Sequence, residues 1–281
     1  MILVTGATGK VGRQAVVQLL DAGVSVRALV RNPETAALPA GVEVVRGDLT
    51  DAASVEAAVR GVDAVFLVWP LTTADAAPAV IAAAEKHARR IVYLSAFGVP
   101  DDDTVEAEEG IIGFHTAIER AIRATDLEWT MLRAGGFAAN TLGWADQVRQ
   151  HGAVRAAHAK ATRSLIHEAD IAAVAVRALT TDELLGATPH LTGPEALTQE
   201  EQVRAIGEVL GKDVVFEELG EEAAAAELEA QGIPSFYALA IVQAHGQMVD
   251  EPETASPAVA EITGRARTYR EWVADHAADF S

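Results

Sequence analysis

Ile2-Leu3-Val4-Thr5-Gly6-Ala7-Thr8-Gly9-Lys10-Val11-Gly12 decides the fold. A short apolar run ends in a turn with three glycines, and the turn opens an amphipathic helix that runs to Leu20. In this pattern Gly6 permits the tight turn, Gly9 lets the backbone approach a pyrophosphate, and Gly12 lets helix pack on strand. The unpaired amides and partial positive charge of the helix N-terminus suit that phosphate. Gly6, Thr8, Gly9, Lys10, Val11 and Gly12 are therefore the candidate dinucleotide cradle.

Outward from this turn, apolar strand runs alternate with helical stretches. Strands are expected at 24–30, 42–45, 64–68, 91–95 and 127–132, and helices at 52–59, 76–87 and 106–124. Such alternation with fully apolar strands predicts an α/β fold, a doubly wound parallel sheet of Rossmann type. After Arg133 the pattern loosens. A helix is expected at 137–150, an irregular polar segment at 153–164, and a regular helix at 168–179. Thr198-Gln199-Glu200-Glu201 is a capping box that starts a helix stopping at Gly211, followed by a short strand at 214–217. Helices at 221–230, 235–248 and 268–277 complete a smaller, mostly helical C-terminal lobe. The expected division is a cofactor-binding core at 1–134, rejoined by about 165–195, and a substrate lobe at 135–164 and 196–281.

Composition excludes several classes. Lysine and arginine number 22 against 41 aspartates and glutamates, a net charge of −19, which repels nucleic acid. There is no cysteine, so disulfides, thiolate chemistry and zinc–sulfur sites are ruled out. His158, His167, His190 and His245 lack metal-like spacing, and no metal is expected. The longest uncharged run, 233–249, is interrupted by Pro234, Gln243, His245 and Gln247 and falls short of a membrane span. With no basic stretch before the first strand, the expectation is a cytoplasmic protein without membrane partners.

The end of the second strand selects the cofactor. An acid there would hold the ribose hydroxyl of NAD, but the chain has Arg31-Asn32. Arg31 can stack on adenine and pair with a 2′-phosphate, with Lys10 as a second positive charge, so NADP(H) is expected. These residues carry a resemblance. The glycine turn, Leu29-Val30-Arg31-Asn32-Pro33, Val45-Arg46-Gly47-Asp48-Leu49 and Tyr93-Leu94-Ser95 resemble the NmrA-like branch of the atypical short-chain dehydrogenase/reductases. Leu132-Arg133-Ala134-Gly135-Gly136-Phe137, Glu168-Ala169-Asp170 and Leu191-Thr192-Gly193-Pro194 extend the resemblance over nearly the whole chain. It is similar in particular to triphenylmethane-reductase and quinone-reductase-like members. The resemblance implies that Asp48 and Leu49 contact the adenine, that Val68, Trp69 and Pro70 line the cofactor channel, and that Gly136 and Phe137 border the nicotinamide.

Short-chain reductases commonly use a tyrosine followed four residues later by a lysine. Here Tyr93, Tyr237 and Tyr269 are followed at that distance by Phe97, Ile241 and Val273. By the same resemblance His115, four residues before Glu119, stands in the lysine position and Ile111 in the tyrosine position. Ser95, at the carboxyl end of its strand, and His115 are the candidate catalytic residues, with cofactor positioning favoured over proton donation for His115. Glu108-Glu109 and the run 101–103 read as solvated loop and helix-start charges. Trp144, Phe236 and Tyr237 are candidates for a substrate pocket or for lobe core. The expected function is an NADPH-dependent reductase of a small quinone, conjugated carbonyl or aromatic acceptor. The alternatives are an NADP-sensing module acting on a protein partner and a non-redox isomerase or lyase.

Overall fold

The computed structural model describes residues 1–102, 104 and 110–281. In chain order its first stretch is β1 (Ile2–Val4), α1 (Lys10–Asp21), β2 (Val26–Val30), β3 (Glu43–Arg46), α2 (Ala52–Val59), β4 (Ala64–Val68), α3 (Ala77–His87), β5 (Arg90–Ala96), α4 (Ile111–Arg123) and β6 (Glu128–Ala134). A 3-10 helix (Ala138–Trp144) then leads to α5 (Ala145–His151), β7 (Ala153–Ala156) and β8 (Thr162–Arg163). The chain continues through α6 (Glu168–Thr180), β9 (His190–Leu191), β10 (Leu197–Thr198), α7 (Gln199–Leu210) and β11 (Val215–Glu218). It ends with α8 (Glu221–Ala230), α9 (Ser235–Asp250), α10 (Ala258–Thr263) and α11 (Tyr269–Asp275). The contacts divide these elements into two units. Unit one holds Met1–Gly135, Glu168–Leu191 and Glu261–Gly264; unit two holds the remainder.

Unit one is built on a seven-stranded sheet in the order β3-β2-β1-β4-β5-β6-β9, parallel throughout. The reversal of direction of winding between β1 and β4 makes it doubly wound. Its central strands β1, β2, β4, β5 and β6 bury side chains on both faces, which is why they read as apolar runs, whereas the edge strand β3 is largely exposed. Leu3, Leu67, Ile91, Tyr93 and Met131 point to one face and meet Val55, Val80, Ile81, Ile118 and Ile122 from α2, α3 and α4. On the other face α1 and α6 pack against each other and on the sheet. Arg90, fully within the base of the sheet, donates to Glu128 at 2.8 and 3.0 Å and to the Ala178 carbonyl at 2.9 Å, tying β5 to the end of α6.

Unit two has its own core, in which Trp272, Tyr269, Phe280 and Val273 meet Ala138, Val154, Val203 and Ile206. The segment expected to be irregular at 153–164 contains two strands: β7 pairs parallel with β11, and β8 antiparallel with β10. Thr198 and Thr268 each cap a helix with a reciprocal glutamate, Glu201 and Glu271. No helix among the described residues is long and apolar enough to cross a membrane.

Candidate functional site

The glycine turn lies at the carboxyl end of β1, where the winding reverses. Gly6 has φ +59°, a left-handed value that favours glycine, and an added Cβ would sit 3.0 Å from the Val68 side chain. At Gly12 an added Cβ would strike the Gly6 carbonyl oxygen at 2.2 Å, so α1 closes on β1 only without a side chain there. Gly9 differs from both. Its backbone is extended (φ −79°, ψ 175°), and its Cβ would meet only the Gly6 oxygen, at 3.2 Å. Beyond Gly9 is open space. No side chain caps α1 and no acid stands in its first turn. Thr5 holds the turn in place, donating to the Val68 carbonyl and accepting from the Val68 amide, both at 2.8 Å. A cradle with open space over Gly9 and uncapped helix amides fits the diphosphate of a dinucleotide. Thr8, Gly9 and Lys10 are exposed, whereas Val11 is buried under the turn.

Arg31 follows β2 directly and is exposed. A second arginine stands beside it: Arg46, ending β3, donates to the Arg31 carbonyl at 3.3 Å and to Glu34 at 2.6 Å. From α1, Arg13 donates to the carbonyls of Ala37 and Ala36 at 2.8 and 3.3 Å, pinning the loop after Arg31. Neither arginine was singled out from the sequence, because each reaches this place only when neighbouring elements pack. Arg46 lay within the quoted motif 45–49, and that was the available signal. The Asp48 carboxylate accepts from the Thr50 amide and hydroxyl at 2.9 and 2.7 Å. Those bonds, with help from Arg31, hold it below the ordinary carboxylate range. Leu49 is buried beneath it.

Of the residues after β4, Pro70 is exposed, but Trp69 belongs to the core of unit one and its indole donates to the Thr73 carbonyl at 2.9 Å. An apolar ring of that size is held by the core.

The carboxyl half of β5 meets α4 in two separate contacts. Tyr93, fully buried, lies 2.6 Å from Nδ1 of His115 through its hydroxyl, while the Phe114 ring packs at 4.4 Å from the His115 ring. Burial pushes the His115 imidazole down to about 4, against the opposing charge of Glu119, so it is neutral near pH 7. Burial, then the Glu119 charge, pushes the Tyr93 phenol up, so it keeps its proton. A buried phenol proton needs an acceptor, and Nδ1 is the one within reach. The His115 proton then resides on Nε2, a hydrogen-bond donor. Tyr93 is thus a functional candidate that the search for a tyrosine four residues from a lysine missed. Strand and helix bring it to His115 across 22 residues of chain.

The second contact engages Ser95. Its hydroxyl donates to Glu119 at 2.5 Å, and both are buried. Glu119 also receives Arg133 at 2.9 and 3.1 Å and Arg123 at 2.7 Å. This hydrogen bond makes the Ser95 hydroxyl part of a buried, charge-paired network. Asp101, read as a solvated charge, pairs with buried Arg133 at 2.5 Å. Asp103, Glu108 and Glu109, and the expected helix start at 106–109, lie outside the described residues. Ile111, in the tyrosine position of the resemblance, is exposed.

Gly136 and Phe137 fall in unit two, and Phe137 bridges to Ile166. An added Cβ at Gly136 would meet the Arg163 guanidinium at 2.4 Å. Trp144 lines a cleft of this unit, while Phe236 and Tyr237 are 68% and 37% exposed.

Known proteins bear on this geometry. Residues 6–182 match the NAD(P)H-binding family model. The chain is 42% identical to a (4-alkanoyl-5-oxo-2,5-dihydrofuran-3-yl)methyl phosphate reductase of Streptomyces griseus, over all of this chain and 99% of that one. This chain belongs to the NAD(P)H-binding family. The NmrA-like resemblance and the Rossmann fold hold. An NAD(P)H azoreductase of Xenophilus azovorans is 31% identical over all of this chain and 99% of its own. An NADPH-dependent quinone oxidoreductase from Escherichia coli, of solved structure, superposes with TM-score 0.81 at 28% identity, covering 99% of this chain and 100% of its own.

Proposed function

We propose that this chain is an NADPH-dependent reductase of a small conjugated carbonyl, quinone or related acceptor, with unit one as the cofactor core and unit two as the substrate lobe. The observation that carries the reading is an intact dinucleotide cradle on a chain whose full-length relatives are reductases. When bound, the reduced nicotinamide supplies a hydride. The chain's own part is binding and orientation. The first-turn amides of α1 hold the diphosphate, and Arg31 with Arg46 holds the 2′-phosphate. His115, fixed by Tyr93, offers Nε2–H to a ribose hydroxyl and stays uncharged. A conjugated acceptor delocalises its developing negative charge and takes its proton from water, so the missing tyrosine relay is not required. The test is NADPH oxidation across quinones, conjugated enones and azo dyes. Tight cofactor binding with no turnover on any of them would overturn the reading in favour of a sensor.

Two variants probe the cofactor contacts. Arg31→Asp removes the phosphate partner and adds repulsion, so NADPH binding weakens at least about tenfold more than NADH binding. Equal shifts in the two dissociation constants would refute the NADP preference. His115→Ala loses one hydrogen bond to the cofactor, weakening NADPH about tenfold and lowering kcat. Because the imidazole ionises near 4, the pH–rate profile between about 5 and 8 keeps its shape. Wild-type affinity together with loss of an ionisation in that window would make His115 the proton donor instead.

A further inference from the structure

Unit two contains a cleft of about 400 Å³ whose lining comes entirely from that unit. Trp144, Leu165, Leu228 and Ile241 give it apolar walls, and its volume suits a small ligand. Among the described residues no aspartate or glutamate lines it, in a chain with 41 acids and a net charge of −19. Its charged lining residue is Arg163.

Arg163 is held in place. Its Nε and Nη2 lie 3.3 and 3.1 Å from one carboxylate oxygen of Glu253, whose other oxygen accepts the Ser164 amide at 3.0 Å. The guanidinium fills the space that glycine leaves at position 136. Nη1 makes no hydrogen bond among the described residues, leaving one edge of the fork for a ligand. His245, also on the lining, registers the same local field. Burial, then the positive charges of Arg163 and His158, push its imidazole down to about 4. The cleft lining thus carries a positive charge and no acid in an acidic protein, and Glu253 is the arginine's counter-charge.

We infer that this cleft binds the anionic group of the acceptor, a phosphate, sulfonate or carboxylate carried on a small conjugated molecule, with Arg163 as its anchor. The inference rests on the reductase reading, because it specifies the class of acceptor. An anion at Nη1 gains a charge-assisted hydrogen bond, while its carbon skeleton meets the apolar wall.

The test compares a naphthoquinone sulfonate with the neutral menadione, by KM in NADPH oxidation and by calorimetric dissociation constants. The wild type is expected to favour the sulfonate. Arg163→Met should cut that preference about tenfold, with Arg163→Lys in between. Glu253→Gln releases Arg163 from its counterion and should tighten the sulfonate several-fold relative to menadione; it decides the matter if Arg163→Met fails to fold. A sulfonate-to-menadione ratio unmoved by Glu253→Gln would overturn the inference while leaving the reductase reading intact. Inorganic phosphate binding as tightly as the sulfonate would also overturn it, marking a bare anion site. Calorimetric sulfonate binding that responds to both residues, in a protein that fails to oxidise NADPH with any of the acceptors, would support the cleft and refute the reductase reading.

Discussion

Gly9→Val protein folds, melts within a few degrees of the wild type, and binds neither NADPH nor NADH. The two halves of that result have separate causes. Gly9 has extended backbone angles open to any residue, and its only tight neighbour is the Gly6 oxygen at 3.2 Å. Valine at a helix N-cap costs on the order of 1 kcal/mol relative to glycine. The isopropyl group then fills the open space over the turn and covers the first-turn amides. Loss of affinity by at least about a hundredfold, or about 2.8 kcal/mol, is expected in a fluorescence titration with each cofactor. Unchanged affinity in a folded variant would make the turn purely structural. Gly12→Val is the contrast, because a Cβ 2.2 Å from a backbone oxygen forces α1 off β1. That variant should fail through its fold and not through its site.

The second large effect is on stability. Glu119 is fully buried, Arg133 is 1% exposed, and Ser95 and Arg123 complete their partners. Glu119→Leu removes the buried counter-charge of Arg133, leaving it only the exposed Asp101, and should cost about 3–5 kcal/mol in urea denaturation. Ser95→Ala removes one hydrogen bond and should cost only about 1 kcal/mol. A Glu119→Leu loss below about 1 kcal/mol would mean that the existing Asp101 pair, with water, is enough for the arginine. If Ser95→Ala instead abolished turnover while stability held, the serine would return to the chemistry.

The sheet was legible because its signal is local. The runs at β4 and the helix at α2 were placed to the residue, since continuous apolar strands between helical stretches admit few alternatives. The two capping boxes at Thr198 and Thr268 rest on four consecutive residues each; the sequence reading named the first and started a helix at the second. What escaped notice was made by tertiary contact. β7 is Ala-Val-Arg-Ala, four residues that become a strand only because β11 lies alongside, and β8 and β10 are two residues each. Tyr93 reads as one more core residue of a buried strand, and only the packing of α4 shows that its hydroxyl ends at an imidazole. Ser95 shows the complementary limit. Its place at a strand's carboxyl end is legible, but the carboxylate that accepts its hydrogen bond is 24 residues away.

The order in which unit one is assembled has a consequence for biosynthesis. Its last sheet strand, β9, pairs with β6 through Arg133 and Ala134, and the helix beside α1 is α6. Both are encoded after the whole insertion of residues 136–167. At about 5–20 residues per second, a ribosome that has released β6 goes on for seconds before the strand that covers it exists. During that interval the nascent chain carries an unpaired strand edge and the naked apolar flank of α1, both invitations to self-association. A gene cut after Gly135 therefore yields an aggregating fragment and not a miniature nucleotide-binding protein, although every glycine of the cradle is already in it.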